Sequence, residues 1–244
     1  MSDPNIEIHV SDFCNRNCSF CVSKNENRRR QMTIPTATEL LSKLLLDVPM
    51  AVTFSGGCEP TTNNAVLSYL IDELTDAGAR CGLTTNGWMT AMNTRELEWV
   101  RLSVYGTACR REIENVLATR AKKHNAALFY TGIENLRKYT FLLDYFDEVT
   151  VKTLNDNKSA RLTDTDVERI HALGFKCKQN PIANDFDVCQ FAKPCYDHDG
   201  KEHKCCLCKA AGGFFGVDKY TIPCIMYNSN KRGELVWNKY GFAI

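Results

Sequence analysis

The chain has 244 residues, 44% of them hydrophobic and 24% charged, with a formal net charge of +1. That is the composition of an ordinary globular protein, long enough for one good-sized core or a domain with an appendage. The near-zero charge balance removes any global electrostatic case for a nucleic-acid partner.

The first residues, Met1-Ser2-Asp3-Pro4-Asn5, lack the basic and apolar regions of a signal peptide. No uncharged apolar run approaches the length of a membrane span, so no membrane association is expected. The expected location is the cytoplasm. In that reducing compartment the 13 cysteines argue for metal ligation rather than a disulfide framework.

In chain order, short β-type runs alternate with helical patterns from residue 6 to about residue 180. The first strand is expected at 6–10. Thr36-x-x-Glu39, with Pro35 just before it, has the form of a capping box. It opens a helix through Leu40, Leu41, Leu44 and Leu45. A strand at 51–54 precedes a helix carrying Val66, Leu67, Leu70, Ile71 and Leu74 at helical spacing, which stops at Gly78. Strand 80–84 follows. Asn93-x-x-Glu96 caps a short helix before strand 100–105, and Ile113, Val116, Leu117 and Ala121 mark the next helix. Strand 127–130, a helix facing inward through Leu136, Leu142, Leu143 and Phe146, and strand 149–151 come next. Thr163 caps a last helix with Val167, Ile170 and Leu173, before an extended piece at 175–178.

Alternating strands and helices with short connections imply a parallel sheet with right-handed crossovers. Six such units fit a partial (β/α)6 TIM-like barrel of the α/β class rather than a closed eightfold one. Chemistry in such folds gathers at the C-terminal ends of the strands, and those ends are distinctive here. After the first strand comes Cys14-Asn15-Arg16-Asn17-Cys18-Ser19-Phe20-Cys21, three thiols within eight residues. After the second comes Ser55-Gly56-Gly57-Cys58-Glu59-Pro60, and after the third Thr84-Thr85-Asn86-Gly87.

Thiolates at this density suit zinc or an iron–sulfur cluster. A closed structural site uses four protein ligands, whereas three leave a position open for something else. Gly56 and Gly57 allow the backbone to approach a ligand, and Glu59 offers a carboxylate to an ammonium group. Cys58 reads as a small filler or as a contact to that ligand. Arg28-Arg29-Arg30 reads as a solvated loop or as a substrate contact near the metal.

The spacing C-x3-C-x2-C, with an aromatic before the last cysteine, resembles the signature of the radical S-adenosylmethionine superfamily. The Gly-Gly-x-Glu-Pro stretch after the next strand resembles that superfamily's motif for the amino group of the cofactor. The resemblance implies a four-iron, four-sulfur (4Fe-4S) cluster on Cys14, Cys18 and Cys21. Its fourth iron would be chelated by S-adenosylmethionine, whose cleavage gives a 5′-deoxyadenosyl radical. It implies cofactor contacts from Phe20, Gly56, Gly57, Glu59, Asn86 and Ser103, and the same partial-barrel architecture. It also implies an external electron donor such as flavodoxin or ferredoxin. The substrate expected is a small molecule, with a ribosomal peptide or a nucleic-acid base as the alternatives. Tyr105, Tyr130, Lys152, Gln179 and Asn180 are candidate polar groups at or near the strand ends.

From Pro181 onward the alternation stops. Cys189, Cys195, Cys205, Cys206, Cys208 and Cys224 crowd together with His198 and His203. So short and polar a stretch has little core of its own, so 181–244 is expected to be a small metal-held region behind a barrel at 1–180. Cys208 and Cys224 resemble part of the cysteine pattern of SPASM and Twitch extensions, with Lys219 standing where those have glycine. That favours a second 4Fe-4S cluster with ligands among Cys189, Cys195, Cys205, Cys208 and Cys224. Zinc on Cys205, Cys208 and nearby cysteine or histidine remains the alternative. Cys81, Cys109 and Cys177 are expected to be core residues. A reading from another class is a non-catalytic zinc protein contacting RNA or a protein through the tail and the arginine run.

Overall fold

A computed structural model describes residues 5–18, 30–55, 58–92, 95–106, 109–153, 162–178 and 195–203. Seven parallel strands follow one another across a sheet in strict chain order: β1 Asn5–Ile8, β2 Ala51–Phe54, β3 Arg80–Thr85, β4 Trp99–Val104, β5 His124–Phe129, β6 Glu148–Lys152 and β7 Lys176–Lys178. Helices α1 Ile34–Leu44, α2 Asn64–Asp76, α3 Arg110–Leu117, α4 Ile133–Arg137 and α5 Asp164–Ala172 fall between them. When neighbours in sequence are neighbours in the sheet, every right-handed crossover lands on the same face. The described helices therefore all cover one side, and among the described residues no helix lies on the other, the open face. This is the α/β, partial-barrel architecture expected from the alternation.

Strand alternation reports the two faces directly. Ile6, Ile8, Val52, Phe54, Leu83, Val100, Leu102, Leu128, Val149 and Val151 are buried in one core with Leu40, Leu41, Leu67, Leu70, Ile71 and Leu74 of the helices. Burying each such side chain is worth about 1.5–3 kcal/mol. The intervening strand positions carry Glu7, Thr53, Thr84, Arg101, Ser103, Thr150 and Lys152, a polar set on the face without helices.

Several local expectations need adjustment. The first helix begins at Ile34 and its cap is Thr33, whose side chain accepts from Thr36 N; Thr36 is not the cap. Pro35 belongs inside the first turn, where its missing N–H costs nothing, so the helix starts ahead of it. Among the described residues no helix follows the Asn93-x-x-Glu96 signal. Asn93 lies outside them, and Leu97 instead bridges to Ala121. Leu136 lies in the five-residue α4 and Leu142 in a separate 3-10 turn, Thr140–Asp144, so one expected helix is two pieces. Cys109 is exposed at the N-terminal end of α3 rather than buried. Cys81 is buried as expected, and burial pushes its thiol up to about 11. Thr163 does cap α5, reciprocated by the Asp166 side chain.

The described part of the expected tail region extends the sheet. Strand β8, Cys195–Tyr196, pairs parallel to β1 on its outer edge, and β9, Glu202–His203, folds back antiparallel on β8. A strand edge that would otherwise be bare is thereby covered. No described helix is long and apolar enough to cross a membrane.

Candidate active site

The loops after β1, β2 and β3 converge on one residue, Glu59. Glu59 is 2% exposed and receives four hydrogen bonds. Oε1 accepts from Thr61 N at 3.2 Å, Thr61 Oγ1 at 2.7 Å and Thr85 Oγ1 at 2.5 Å. Oε2 accepts from Asn86 N at 2.6 Å. Its own N–H donates to the Phe13 carbonyl, one residue before Cys14, at 3.1 Å. Burial raises the carboxyl above the usual range, against the pull of those four donors. Glu59 thus ties the glycine loop to the third strand's end and to the cysteine loop, in addition to any contact it makes with a ligand.

Asn86 carries the tie into the thiol loop. Its Nδ2 donates to Asn15 Oδ1 at 2.8 Å and points at Cys14 Sγ from 3.8 Å, while Arg16 N donates to the same sulfur at 3.4 Å. Donors aimed at a sulfur stabilise negative charge on it. The Arg16 guanidinium pairs with Glu112 of α3 and reaches the Asn86 carbonyl at 3.5 Å. Gly87, at φ 77°, lies so close to α3 that a Cβ would stand 2.7 Å from the Glu112 carbonyl oxygen. This is the packing reason for glycine after Asn86.

A second buried tie joins the cysteine loop to the β8–β9 hairpin. Asp12, fully buried, lies 2.9 Å through Oδ2 from His198 Nδ1 and 3.7 Å from Arg30 Nη2. The Asp12 carbonyl accepts from Cys58 Sγ at 2.8 Å. Asp12, Arg16, Glu112 and His198 as a partner of Asp12 were not foreseen from the sequence. Asp12 lies two residues before Cys14, but nothing local marks residues so distant in sequence as neighbours.

Cys14 and Cys18 are half-buried in one loop, Cys14 beside Asn86. Ser103 is 8% exposed on the open face of β4, two residues beyond Arg101. Cys195 opens β8 opposite Glu7. Phe20, Cys21, Gly56, Gly57, Cys189, Cys205, Cys208, Cys224, Gln179 and Asn180 lie outside the described residues. Tyr130 donates to Asp166 at 2.7 Å and is held up at about 12, chiefly by burial, so it is tied to α5. Tyr105 stacks on Phe129 with centroids 4.7 Å apart.

A family model of the radical SAM superfamily matches residues 8–156, covering every element just described from the cysteine loop to β6. The chain belongs to that superfamily. Membership implies an enzyme that uses an iron–sulfur cluster and S-adenosylmethionine. The donor set fits such a group: thiols at the mouth of the sheet, with N–H groups directed at the sulfur of Cys14.

SuiB of Streptococcus suis, bound to S-adenosylmethionine, is similar in fold, with a TM-score of 0.64 at 14% identity, over 99% of this chain and 68% of SuiB. So is anSMEcpe, with bound AdoMet and a Cp18Cys peptide, at a TM-score of 0.56 and 14% identity, over 97% of this chain and 88% of that one. An uncharacterized protein of Methanocaldococcus jannaschii is 31% identical over 77 residues, which is 31% of this chain and 26% of that protein. The chain thus spans about a quarter of that relative's length. At 14% identity the two structures speak to the fold alone.

Proposed function

We propose that this chain cleaves S-adenosylmethionine reductively and oxidises or rearranges a small molecule by hydrogen abstraction. Cys14, Cys18 and Cys21 would hold the cluster. Phe20, Gly56, Gly57, Glu59, Asn86 and Ser103 would line the cofactor. When bound, a 4Fe-4S cluster supplies the electron that splits the sulfonium and yields a 5′-deoxyadenosyl radical. The protein's share is positioning. Glu59 and Asn86 lock three strand-end loops into one arrangement, so the cofactor meets a preorganised cradle. The observation that carries the reading is the convergence on Glu59 of the loops after β1, β2 and β3, with Cys14 one hydrogen bond away on Asn86.

The tail cysteines, Cys189, Cys195, Cys205, Cys208 and Cys224, would hold a second cluster that accepts an electron from the substrate radical; zinc is the other occupant these ligands suit. The solved structures of similar fold contain peptides, but that likeness leaves the substrate to this chain's own residues.

Anaerobic reconstitution followed by assay for 5′-deoxyadenosine tests the proposal. Dithionite-dependent product from wild type, lost in Cys18→Ala, is expected. A colourless, iron-free protein or activity that survives Cys18→Ala refutes it. Residual iron in a triple alanine variant of Cys14, Cys18 and Cys21 distinguishes a second cluster from zinc.

A further inference from the structure

The open face of a barrel sheet is ordinarily filled by bulky apolar side chains. Here its β4–β7 half carries cations. Arg101, Ser103 and Tyr105 alternate along β4 and its end and share that face. Phe129 pairs in register with Lys152, and Lys152 with Lys178. The described strand carboxylates on this face, Glu7 and Glu148, act on Arg101 but are shared with other donors. Glu148 accepts from Lys176 at 2.6 Å and Thr150 at 2.8 Å. Glu7 accepts from Ser55 at 2.7 Å and lies 2.8 Å from His9.

Arg101 donates to Thr84 Oγ1 at 3.0 Å and lies 5.4 Å from the Trp99 ring centre, yet its Nε is buried with no hydrogen-bond partner among the described residues. Among the described residues, an inward guanidinium and a half-buried ammonium share this face with two carboxylates that also serve other donors, and such cations are costly unless a ligand brings negative charge.

We propose that Arg101, Lys152 and Lys178 form an anion subsite on the open face, and that the substrate carries a carboxylate or phosphate group that sits there, beside the stacked rings of Tyr105 and Phe129. The substrate half of this statement rests on the radical SAM reading; the binding half does not. Arg101 supplies a fork of donors and Lys152 a point charge, which together hold an oxyanion in one orientation. The groups acting on Lys152 are Arg101 from β4, Lys178 from β7 and Glu148 from its own strand. Burial, then the Arg101 and Lys178 charges, pull its ammonium down to about 7. A bound anion reverses that pull, so binding above neutral pH takes up a proton.

Calorimetric titration of the cluster-loaded full chain with succinate, with inorganic phosphate and with neutral succinamide tests this. Expected is binding of at least one anion and none of succinamide, with a proton taken up at pH 8 when buffers of different ionisation heat are compared. Affinity should fall at least tenfold in Lys152→Met and in Arg101→Met, and largely return in Lys152→Arg. Succinate without phosphate points to a carboxylate substrate, and phosphate without succinate to a phosphorylated one. Three results overturn the proposal: no anion binding by wild type, binding without proton uptake, or binding that both methionine variants retain. A fourth is displacement of the anion by S-adenosylmethionine, which would assign the subsite to the cofactor's own carboxylate. Failure of wild type to form 5′-deoxyadenosine sinks the radical reading separately and leaves the anion result standing.

Discussion

Replacing Glu59 discriminates between a carboxylate that organises the loops and one that only faces a ligand. In Glu59→Ala, two backbone N–H groups, of Thr61 and Asn86, and two threonine hydroxyls lose their acceptor. The hydroxyls can rotate toward other acceptors, but the backbone groups cannot. Each stranded buried N–H costs about 1–3 kcal/mol, and water entering the vacated space recovers part, leaving a loss of about 3 kcal/mol.

In Glu59→Gln the amide presents one oxygen. Whichever way it turns, either Thr61 N or Asn86 N faces an NH2 group. That single clash costs about 1–3 kcal/mol, offset in part because no charge is buried, so a loss of about 1 kcal/mol is expected. Urea unfolding of the metal-free protein reads the difference. At a slope of about 2–3 kcal/mol/M, the midpoint should fall by about 1 M in the alanine variant and by less than half that in the glutamine variant. Burial raises the folded-state pKa of Glu59. Its contribution is therefore fully present below the unfolded value of 4.5 and lost as pH rises through the folded value, so the glutamine deficit should shrink with rising pH. An alanine variant as stable as wild type, or a glutamine variant less stable than the alanine one, would refute this account of the site.

Three further outcomes rest on other groups of the fold. Lys152, held at about 7 in the fold against 10.5 when unfolded, penalises folding fully below about pH 7, and the penalty fades as pH rises toward 10.5. Lys152→Met should therefore stabilise the protein at pH 6 by roughly 2–4 kcal/mol and by almost nothing near pH 10, as read by urea unfolding at the two pH values. Removing the amide donor near Cys14 with Asn86→Ala should lower the reduction potential of the reconstituted cluster, since hydrogen bonds to sulfur favour the reduced state; an unchanged or raised potential in a redox titration contradicts the contact. His198→Ala leaves buried Asp12 facing Arg30 at 3.7 Å, and should cost roughly 2–4 kcal/mol in chemical unfolding, as when one partner of a buried pair is removed.

The local signals in this sequence were strong. Leu67, Leu70, Ile71 and Leu74 at helical spacing, Thr163 at a helix start, and alternating strands all act within a few residues, so hydrophobic period and capping chemistry made α2, α5 and the parallel sheet legible. The Cys14, Glu59 and Asn86 motifs were legible for the same reason, each being a short run at a strand end. Where propensities compete locally, as at Thr33 against Thr36 with Pro35 between them, the pattern misplaced the boundary by one turn. Only the tertiary structure decided which distant groups meet: the four donors around Glu59, the Arg16–Glu112 pair, the seat of His198 on Asp12, the pairing of β8 with β1, and the cations that β4, β6 and β7 bring to one open face. Pairing across dozens of residues leaves no periodicity to read, because it is fixed by the order and twist of the strands and by the cost of burying a polar group without its partner.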